Sequence, residues 1–410
     1  MTKDKDRKTI VPPLRFPEFR GAEGWSNVRL IDVADKKTKW HFTGGPFGSN
    51  LKASDYTSSG VRVIQLQNIG DGSFVDDYKI YTSLEKSDEL LSCNIYPGDI
   101  IISKMGDPVG RACLIPENED RYLMCSDGIR LVVDECKNDK YFIFTIINDT
   151  KFRAKIERNS TGSTRKRIGL DTLRDLILLI PDSKEEQQKI AECLGSLDDL
   201  ISAVADKIEA LKLHKKGLMQ QLFPAEGKTT PSLRFPEFQN AGEWEETTLE
   251  SLCKSIASGK NKNNPNGAYD LYGSTGIIGK TDYGDYDGLY ILVARVGANA
   301  GFLTKVSGVF GVTDNTLVIN PKSGIVFDFI YYLLSNLGLN NLVFGSGQPL
   351  ITGSQLKNLS VGITLPTEQR KIADCLSSVD NLISAETDKL DQLKAHKKGL
   401  MQQLFPTINE

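Results

Sequence analysis

Apolar residues recur at helical spacing along two long stretches of this chain. In the first, Ile190, Leu194, Leu197, Ile201, Val204, Ile208, Leu211, Leu218 and Leu222 follow a 4-3-4-3 pattern that only Lys215 interrupts. In the second, Ile372, Leu376, Val379, Ile383, Leu390, Leu393, Leu400 and Leu404 do the same, with Glu386 and Lys397 as breaks. Such spacing is the seam of a helix that packs along another helix. Ser183-x-x-Glu186 has the form of a capping box. Glu185 and Glu186 open the first stretch and Lys212, Lys215 and Lys216 lie near its end, as the helix dipole prefers; Phe223-Pro224 stops it. Each helix is therefore expected to run about 37–38 residues, or about 55 Å at ~1.5 Å per residue. Elsewhere the pattern shortens to strand length. Segments 61–69, 99–105, 129–134, 289–296 and 315–320 read as strands separated by Gly, Asn and Asp, with helices at 142–155 and 327–336. The class is α+β: sheet-rich parts alternating with long helices.

The pattern is also duplicated. LRFPEF occurs at Leu14–Phe19 and at Leu233–Phe238, and Trp25 matches Trp244 at the same offset of 219. Residues 185–224 match 367–406 with 28 of 40 positions identical, at an offset of 182. Weaker landmarks keep the same order between these anchors. ISKMGDPVG at 102–110 resembles ARVGANAG at 294–301, setting Lys104 opposite Arg295, Gly106 opposite Gly297 and Gly110 opposite Gly301. CSDGIRLVV at 125–133 resembles VTDNTLVIN at 312–320, setting Asp127 opposite Asp314. Segment 160–176 resembles 343–359. Four parts follow: a first sheet-rich domain at 1–181, a helix at 182–224, a second sheet-rich domain at 225–365 and a helix at 366–410. A lone seam this long needs a partner, and the other copy is the obvious one. The two helices are expected to run antiparallel about a pseudo-twofold axis, with one globular part at each end.

Composition narrows the class. The chain has 410 residues, 40% of them hydrophobic and 25% charged, which is ordinary globular usage and excludes a disordered or fibrous protein. No apolar run approaches the ~18 residues of a membrane helix. The charged start MTKDKDRKTI does not read as a secretory signal. Seven Cys without a C-x-x-C pair and three scattered His argue against a disulfide framework and against a Cys- or His-built metal site. A reducing bacterial or archaeal cytoplasm is the simplest compartment. The net charge is −3, so any binding of nucleic acid must rest on local positive charge or on a partner.

With its LRFPEF openings, two divergent globular regions and two repeats of the form EQQKIAxxLxxLDxLI…HKKGLMQQLFP, the chain resembles the specificity (S) subunit of type I restriction-modification systems over nearly its whole length. The resemblance implies that each globular region is a target-recognition domain reading one half of a bipartite, gapped site in double-stranded DNA. It implies that the helices separate the two domains and dock two methyltransferase (M) subunits, which bring S-adenosylmethionine and modify adenine. Two motor-nuclease (R) subunits, using ATP and Mg, would add restriction. The subunit itself would hold no cofactor and catalyse nothing.

The residues read alone agree with that last point. No Asn/Asp-Pro-Pro-aromatic loop of an adenine methyltransferase is present, and no G-x-G-x-x-G opens a helix after a strand. Ser274–Thr281 has nearly the spacing of a phosphate loop, but Ser274 replaces its first Gly and no helix is expected after it; a sheet turn is the simpler reading. Cys193 and Cys375 read as small buried apolar residues.

Candidate DNA contacts come from charge and turns. Residues 151–168 hold seven Lys/Arg and one Glu, a local charge of +6. Within them Arg165, Lys166 and Arg167 follow a Gly-Ser-Thr loop suited to a close approach to phosphates. In the second copy Gln348 takes the equivalent place and suits a base edge. Lys104 and Arg295 stand at matched strand ends before a Gly turn and suit a shared phosphate contact; the competing reading is an ion pair to Asp107 or Asp314. Asn299 suits a base edge or a turn. The loop 44–50, GGPFGSN, could enter a groove. Phe16, Phe19, Phe235 and Phe238 read as structural, docking LRFPEF on the helices. A protein-interaction scaffold without DNA is the other class open to such a chain. It gives no reason for one portion of each copy to diverge while the other is held.

Overall fold

The structure is a computed structural model that describes residues 10–342 and 350–406. It divides into two compact units. One comprises Met1–Ala203 and Asp391–Glu410, and the other Val204–Leu390. The division runs through both long helices, Lys184–Leu222 and Pro366–Leu404, each of 39 residues. Each unit thus owns one globular part, the first half of its own helix and the last half of the other copy's helix.

In the first unit a ribbon of Ser26–Arg29 against Ile177–Ile180 leads into two sheets. One is a mixed five-stranded sheet in the order Tyr56–Thr57, Ile80–Thr82, Val61–Ile64, Tyr122–Met124, Asn94–Ile95. The other is antiparallel, in the order Phe42–Gly44, Gly128–Leu131, Ile100–Ser103, Ala112–Leu114. Val61–Ile64, Ile100–Ser103 and Gly128–Leu131 are buried at every position, the Arg62 and Arg130 within them included, which are paired with Asp76 and Asp99. The helix expected over 142–155 is in fact two, Lys140–Asn148 and Thr150–Arg158. Asp149 separates them: its backbone is extended, and its buried carboxylate accepts from the Lys151 amide to start the second.

The second unit has its own ribbon, Glu245–Thr248 against Ser360–Ile363, and one six-stranded sheet. The sheet's order is Cys253–Ser258, Thr316–Pro321, Tyr286–Ala294, Leu303–Val312, Tyr269–Gly273, Gly276–Thr281. Gly276–Thr281 is a strand paired antiparallel with Tyr269–Gly273, so the near phosphate-loop motif is a hairpin. Helix Phe327–Leu337 ends at Gly338 in the left-handed conformation, an ordinary helix terminator.

Each unit holds its long helices in the same socket. In the first, Trp25, Phe142 and Phe405 meet with ring centroids 5.7–6.2 Å apart. In the second, Trp244, Phe329 and Phe223 meet at 5.5–6.0 Å. Phe223 and Phe405 each follow the last helical residue of one repeat and enter the core of the unit built on the other. Beside each trio lies an ion pair. The Arg15 guanidinium donates to both Glu186 oxygens at 2.8 and 2.6 Å, and Arg234 to Glu368 at 2.7 Å twice. So the LRFPEF segment is anchored chiefly by its arginine; Phe16 and Phe235 are only half-buried against the cores. Glu186 therefore does not complete the capping box. Ser183 Oγ accepts from the Glu186 amide, but the carboxylate turns to Arg15 and the Trp25 indole. The neighbouring Gln187 and Gln369 are buried too. Each accepts the amide at the start of a globular helix, from Asp139 and Val326, and donates to a carbonyl before its own helix, Pro181 and Thr364. Cys193 and Cys375, by contrast, are half-buried rather than enclosed.

The polar breaks in the seams are satisfied across the helix pair within each unit. Lys397 bonds both oxygens of Asp198 at 2.5 and 2.6 Å, and the Tyr141 hydroxyl donates to the same carboxylate. In the other unit Lys215 and Tyr332 converge on Asp380 at 2.6 and 2.7 Å. Burial, and then the adjoining carboxylate, push the Tyr141 phenol well above its ordinary range. Lys207 pairs with Glu386 at 2.5 Å. In the second unit the pairs 207–386 and 215–380 show the helices running antiparallel. Such half-exposed pairs add little stability, but a charge at a seam position fixes register.

The two kinds of ion pair should separate in a stability measurement. Glu368→Ala leaves a guanidinium that is 7% exposed without its counter-charge and should cost about 3–5 kcal/mol. Lys207→Ala, at a pair whose lysine is 56% exposed, should cost no more than about 1 kcal/mol. Urea denaturation followed in the second unit checks both; equal midpoints for the two variants would remove the buried pair from the fold's supports.

Candidate nucleic-acid interface

The structure brings Lys104 and the 165–167 segment together. Lys104 follows the strand Ile100–Ser103; its amide donates to the Asp127 carbonyl at 2.7 Å and its carbonyl accepts from Ile168 at 3.0 Å. The next two residues, Met105–Gly106, pair antiparallel with Lys166–Arg167. The chain then turns through residues 107–109, and the Gly110 amide returns to the Ser103 carbonyl at 3.0 Å. Gly110 has φ +76°, and a Cβ there would lie 2.7 Å from Ile156, so both backbone and space require glycine.

The +6 stretch does not act as one patch. Lys151 donates to the carbonyls of Gln402 and Phe405 at the C-terminal end of the second long helix. Arg153 bonds Asp71 and the Val109 carbonyl, and Lys155 the Ile177 carbonyl. These cations hold the unit together, and Arg158 is also engaged within the protein. Lys166 pairs with Glu157 and Arg167 with Asp127, both at 2.5 Å, each on an open part of the surface. Arg165 is exposed and Lys104 half-buried; among the described residues neither forms an ion pair, so the alternative pairing of Lys104 with Asp107 is not made.

The second unit builds the same ribbon from different residues. Arg295 follows Tyr286–Ala294, donates from its amide to Asn315 at 3.0 Å and accepts from Ile351 at 2.9 Å. Val296 bridges Leu350, as Met105 does Arg167. The Gly301 amide returns to Ala294 at 2.8 Å, the match of Gly110 to Ser103. Gly301 has φ +93°, and a Cβ would meet the Asn340 nitrogen at 2.4 Å. The Arg295 guanidinium touches the main-chain carbonyl of Asp314 at 3.4 Å rather than its carboxylate, and its Nε is buried with no partner among the described residues. Asn299 is exposed on the turn. It lines an open cleft of about 400 Å³ with Phe302, Tyr331 and Ser335. Gln348 lies outside the described residues.

Two features of this surface were not read from the sequence, and a third was read only as a loop. Asp127 ties the basic segment to the strand opposite. Arg111, directly after Gly110, lies along the same turn, where its guanidinium is 3.7 Å from the place of a Cβ on Gly106. Phe47, at the tip of the 44–50 loop, is 83% exposed. The strand before that loop, Phe42–Gly44, pairs with Gly128–Leu131, so the loop leaves the sheet beside Asp127. The third had a signal, an aromatic between glycines. For the first the sequence match misled, since the Lys104 amide donates to the Asp127 carbonyl but the Arg295 amide to that of Asn315, which puts Asn315 and not Asp314 in the place of Asp127. What the surface can do chemically is bind phosphates and base edges. Among the described residues no group of His, Cys, Asp and Glu could hold a metal ion, and no helix is long and apolar enough to cross a membrane.

Comparison with known proteins agrees with the geometry. Residues 22–213 and 241–395 both match the model of the type I restriction modification DNA specificity domain. A putative type I restriction enzyme MjaX specificity subunit from Methanocaldococcus jannaschii is 25% identical over 383 residues, covering 84% of this chain and 86% of that one. The MjaVIII specificity subunit of the same organism is 28% identical over 259 residues, 54% of this chain and 59% of its own. Among solved structures, the S subunit of a type I restriction-modification system from M. genitalium superposes with a TM-score of 0.63 at 17% identity, covering 98% of this chain and all of the other. A chain from a study of complex assembly and conformational transition in a type I restriction-modification system superposes at 0.55 with 14% identity, over 93% and 98%. With two specificity domains covering most of its length, the chain belongs to the type I restriction-modification DNA specificity family, as a non-catalytic specificity subunit.

Proposed function

We propose that each unit reads one half of a bipartite, gapped site in double-stranded DNA, and that the long helices set the spacing and dock two methyltransferase subunits that methylate adenine. The observation that carries this reading is the ribbon made twice. In both units a cation precedes a glycine-closed turn and a second segment pairs beside it, while the sheets behind differ in strand number and sequence. Two equal frames with unequal faces suit two different half-sites. On this reading Lys104 and Arg295 hold equivalent phosphates, and Arg165, Lys166 and Arg167 add phosphate contacts in the first half-site. Lys166 and Arg167 reach DNA as members of ion pairs, which keeps them ordered but lessens their charge. Asn299 and Gln348 serve the base edges of the second half-site. S-adenosylmethionine belongs to the methyltransferase, and ATP and Mg to two motor-nuclease subunits where restriction accompanies modification. Such a complex works in the cytoplasm, on DNA.

Methylation mapping tests the proposal. Residues 240–355 are replaced by the equivalent region of another such subunit, and methylated adenines are mapped in DNA from cells carrying the chimera and the methyltransferase. One half of the methylated sequence should change and the other stay. A change in both halves, or in neither, would sink the modular reading.

The phosphate contacts have a separate signature. Each one removed lowers the slope of log K against log salt by about one unit. Lys104→Ala and Arg165→Ala should each do so and weaken binding of all sequences alike. An unchanged slope for both would move the ribbon off the DNA.

A further inference from the structure

Backbone hydrogen bonds set Arg111 and Phe302 in equivalent places. Each follows the glycine that closes its turn. The Arg111 carbonyl accepts from the Ser103 amide at 2.7 Å, and the Phe302 carbonyl from the Ala294 amide at 2.9 Å. Ser103 and Arg111 continue the antiparallel register of Ile102 with Ala112, so they stand directly across from each other on one face of the sheet. In the second unit the same cross-strand pair is Ala294 and Phe302. The first unit therefore carries a guanidinium and a hydroxyl where the second carries two apolar side chains.

Neither polar group is satisfied. The Arg111 Nε and the Ser103 hydroxyl are both buried without a hydrogen-bond partner among the described residues. Arg62 and Arg174 also have an unpaired Nε, but their other nitrogens hold Asp76 and Asp171. Arg111 has no such counter-charge. Asp107 in the turn does not pair with it, and two other acids near the turn are taken, Asp71 by Arg153 and Asp127 by Arg167. The neighbouring charge is instead a second cation. Burial lowers the Arg153 pKa, Asp71 opposes the change, and the charge of Arg111 adds to it. The Arg111 guanidinium also lies against the turn, 3.7 Å from the place of a Cβ on Gly106, which holds it in one region. A partly desolvated donor with a like charge beside it is unfavourable until an acceptor arrives. A phosphate supplies acceptors and the missing negative charge together; a guanine edge supplies acceptors alone.

The turn of the second unit has the same feature on its other arm. Arg295, which precedes the turn, has a buried Nε without a partner, and its guanidinium reaches only a main-chain carbonyl at 3.4 Å. We propose that Arg111 is a DNA-binding residue of the first unit, donating from its guanidinium to a backbone phosphate, and that Arg111 and Arg295 do the same work from opposite arms of equivalent turns. This rests on the reading of the chain as a DNA-reading subunit. With Lys104 before its turn and Arg111 after it, the first unit grips phosphates from both arms. The second unit, with Phe302 after its turn, grips from one.

The test uses the full-length chain with the methyltransferase that co-purifies with it. The probes are duplexes of the methylated site in which one phosphate at a time is replaced by a neutral methylphosphonate. The half-site of the first unit is the half left unchanged by exchange of residues 240–355. In that half, one substitution should weaken wild-type binding about tenfold, as expected for one charge-assisted contact, and should make no difference to Arg111→Gln. The other sensitive phosphates, in both halves, should stay sensitive. Arg111→Gln should also lower the salt slope by about one unit, while Arg111→Lys, which keeps the charge, should retain it. An unchanged slope and an unchanged phosphate pattern in Arg111→Gln would overturn the proposal. So would an equal loss of slope in Arg111→Lys, which would make Arg111 a packing residue of the turn. Loss of preference for one base with the phosphate pattern intact would make it a base reader and overturn the phosphate contact. Failure of the wild type to prefer any sequence is a different result, and would overturn the DNA-reading function itself.

Discussion

The chain depends on an exchange of helix ends. Phe405, at the end of the second repeat, is buried against Trp25 and Phe142 in the first unit, and Phe223, at the end of the first repeat, against Trp244 and Phe329 in the second. Full burial of such a ring contributes about 1.5–3 kcal/mol, with a further ~0.5–1.5 for each well-placed aromatic neighbour. Arg15–Glu186 and Arg234–Glu368 lock the start of the local helix beside the end of the foreign one, and the Leu14 and Leu233 amides bond the Gln403 and Gln221 carbonyls at 3.0 and 2.9 Å. Neither unit has a complete core without residues from the other copy's repeat. That constraint explains the pattern of identity along the chain. A helix end must fit the socket of the other copy, and each socket is built on the start of its own helix. The two repeats therefore cannot drift apart independently, whereas only one face of each sheet shares the core with the exchanged helix ends.

The same constraint accounts for what was legible in the sequence. The helix seams, the duplication and the matched Lys104 and Arg295 were readable because they rest on periodicity and on repetition, which a single chain displays. The polar breaks in the seams were visible as breaks only. Their resolution needs Asp198 and Asp380, which lie outside the apolar pattern and meet Lys397 and Lys215 from 199 and 165 residues away. The buried Glu186 was read as an ordinary helix-start residue, since local rules favour an acid there for the dipole and the cap, and Gln187 was not singled out. Their longer-range bonds, to Arg15 and to the Asp139 amide, leave no local mark. The split of 142–155 into two helices was missed for the opposite reason: the apolar pattern continues across Asp149, and only its capping bond breaks the helix.

The basic stretch shows most clearly why a charge count is a poor map of a binding surface. Of seven cations in 151–168, Lys151, Arg153 and Lys155 bond helix-end or strand carbonyls and an aspartate inside the unit, spending their charge on the fold. A chain whose net charge is −3 has few cations to spare for a polyanion. On the proposed reading it places them on a ribbon whose two segments are sixty residues apart in sequence and whose turn is closed by a glycine. Rigidity is the benefit: an ordered cation loses less conformational entropy on binding than one on a free loop.

The frame and the readers can then change on different terms. The ribbon's geometry is set by backbone pairing, Met105 with Arg167 and Val296 with Leu350, and by Gly110 and Gly301. None of these bonds specifies a side chain at positions 111, 167, 302 or 350. The two units show the freedom in use: Arg111 corresponds to the exposed Phe302, and Arg167 to Leu350. Each such exchange alters the chemistry offered to a ligand without moving the turn that offers it. On the proposed reading, a surface built this way can change what it reads through few substitutions, because the residues that hold it in place and the residues that face outward are different ones.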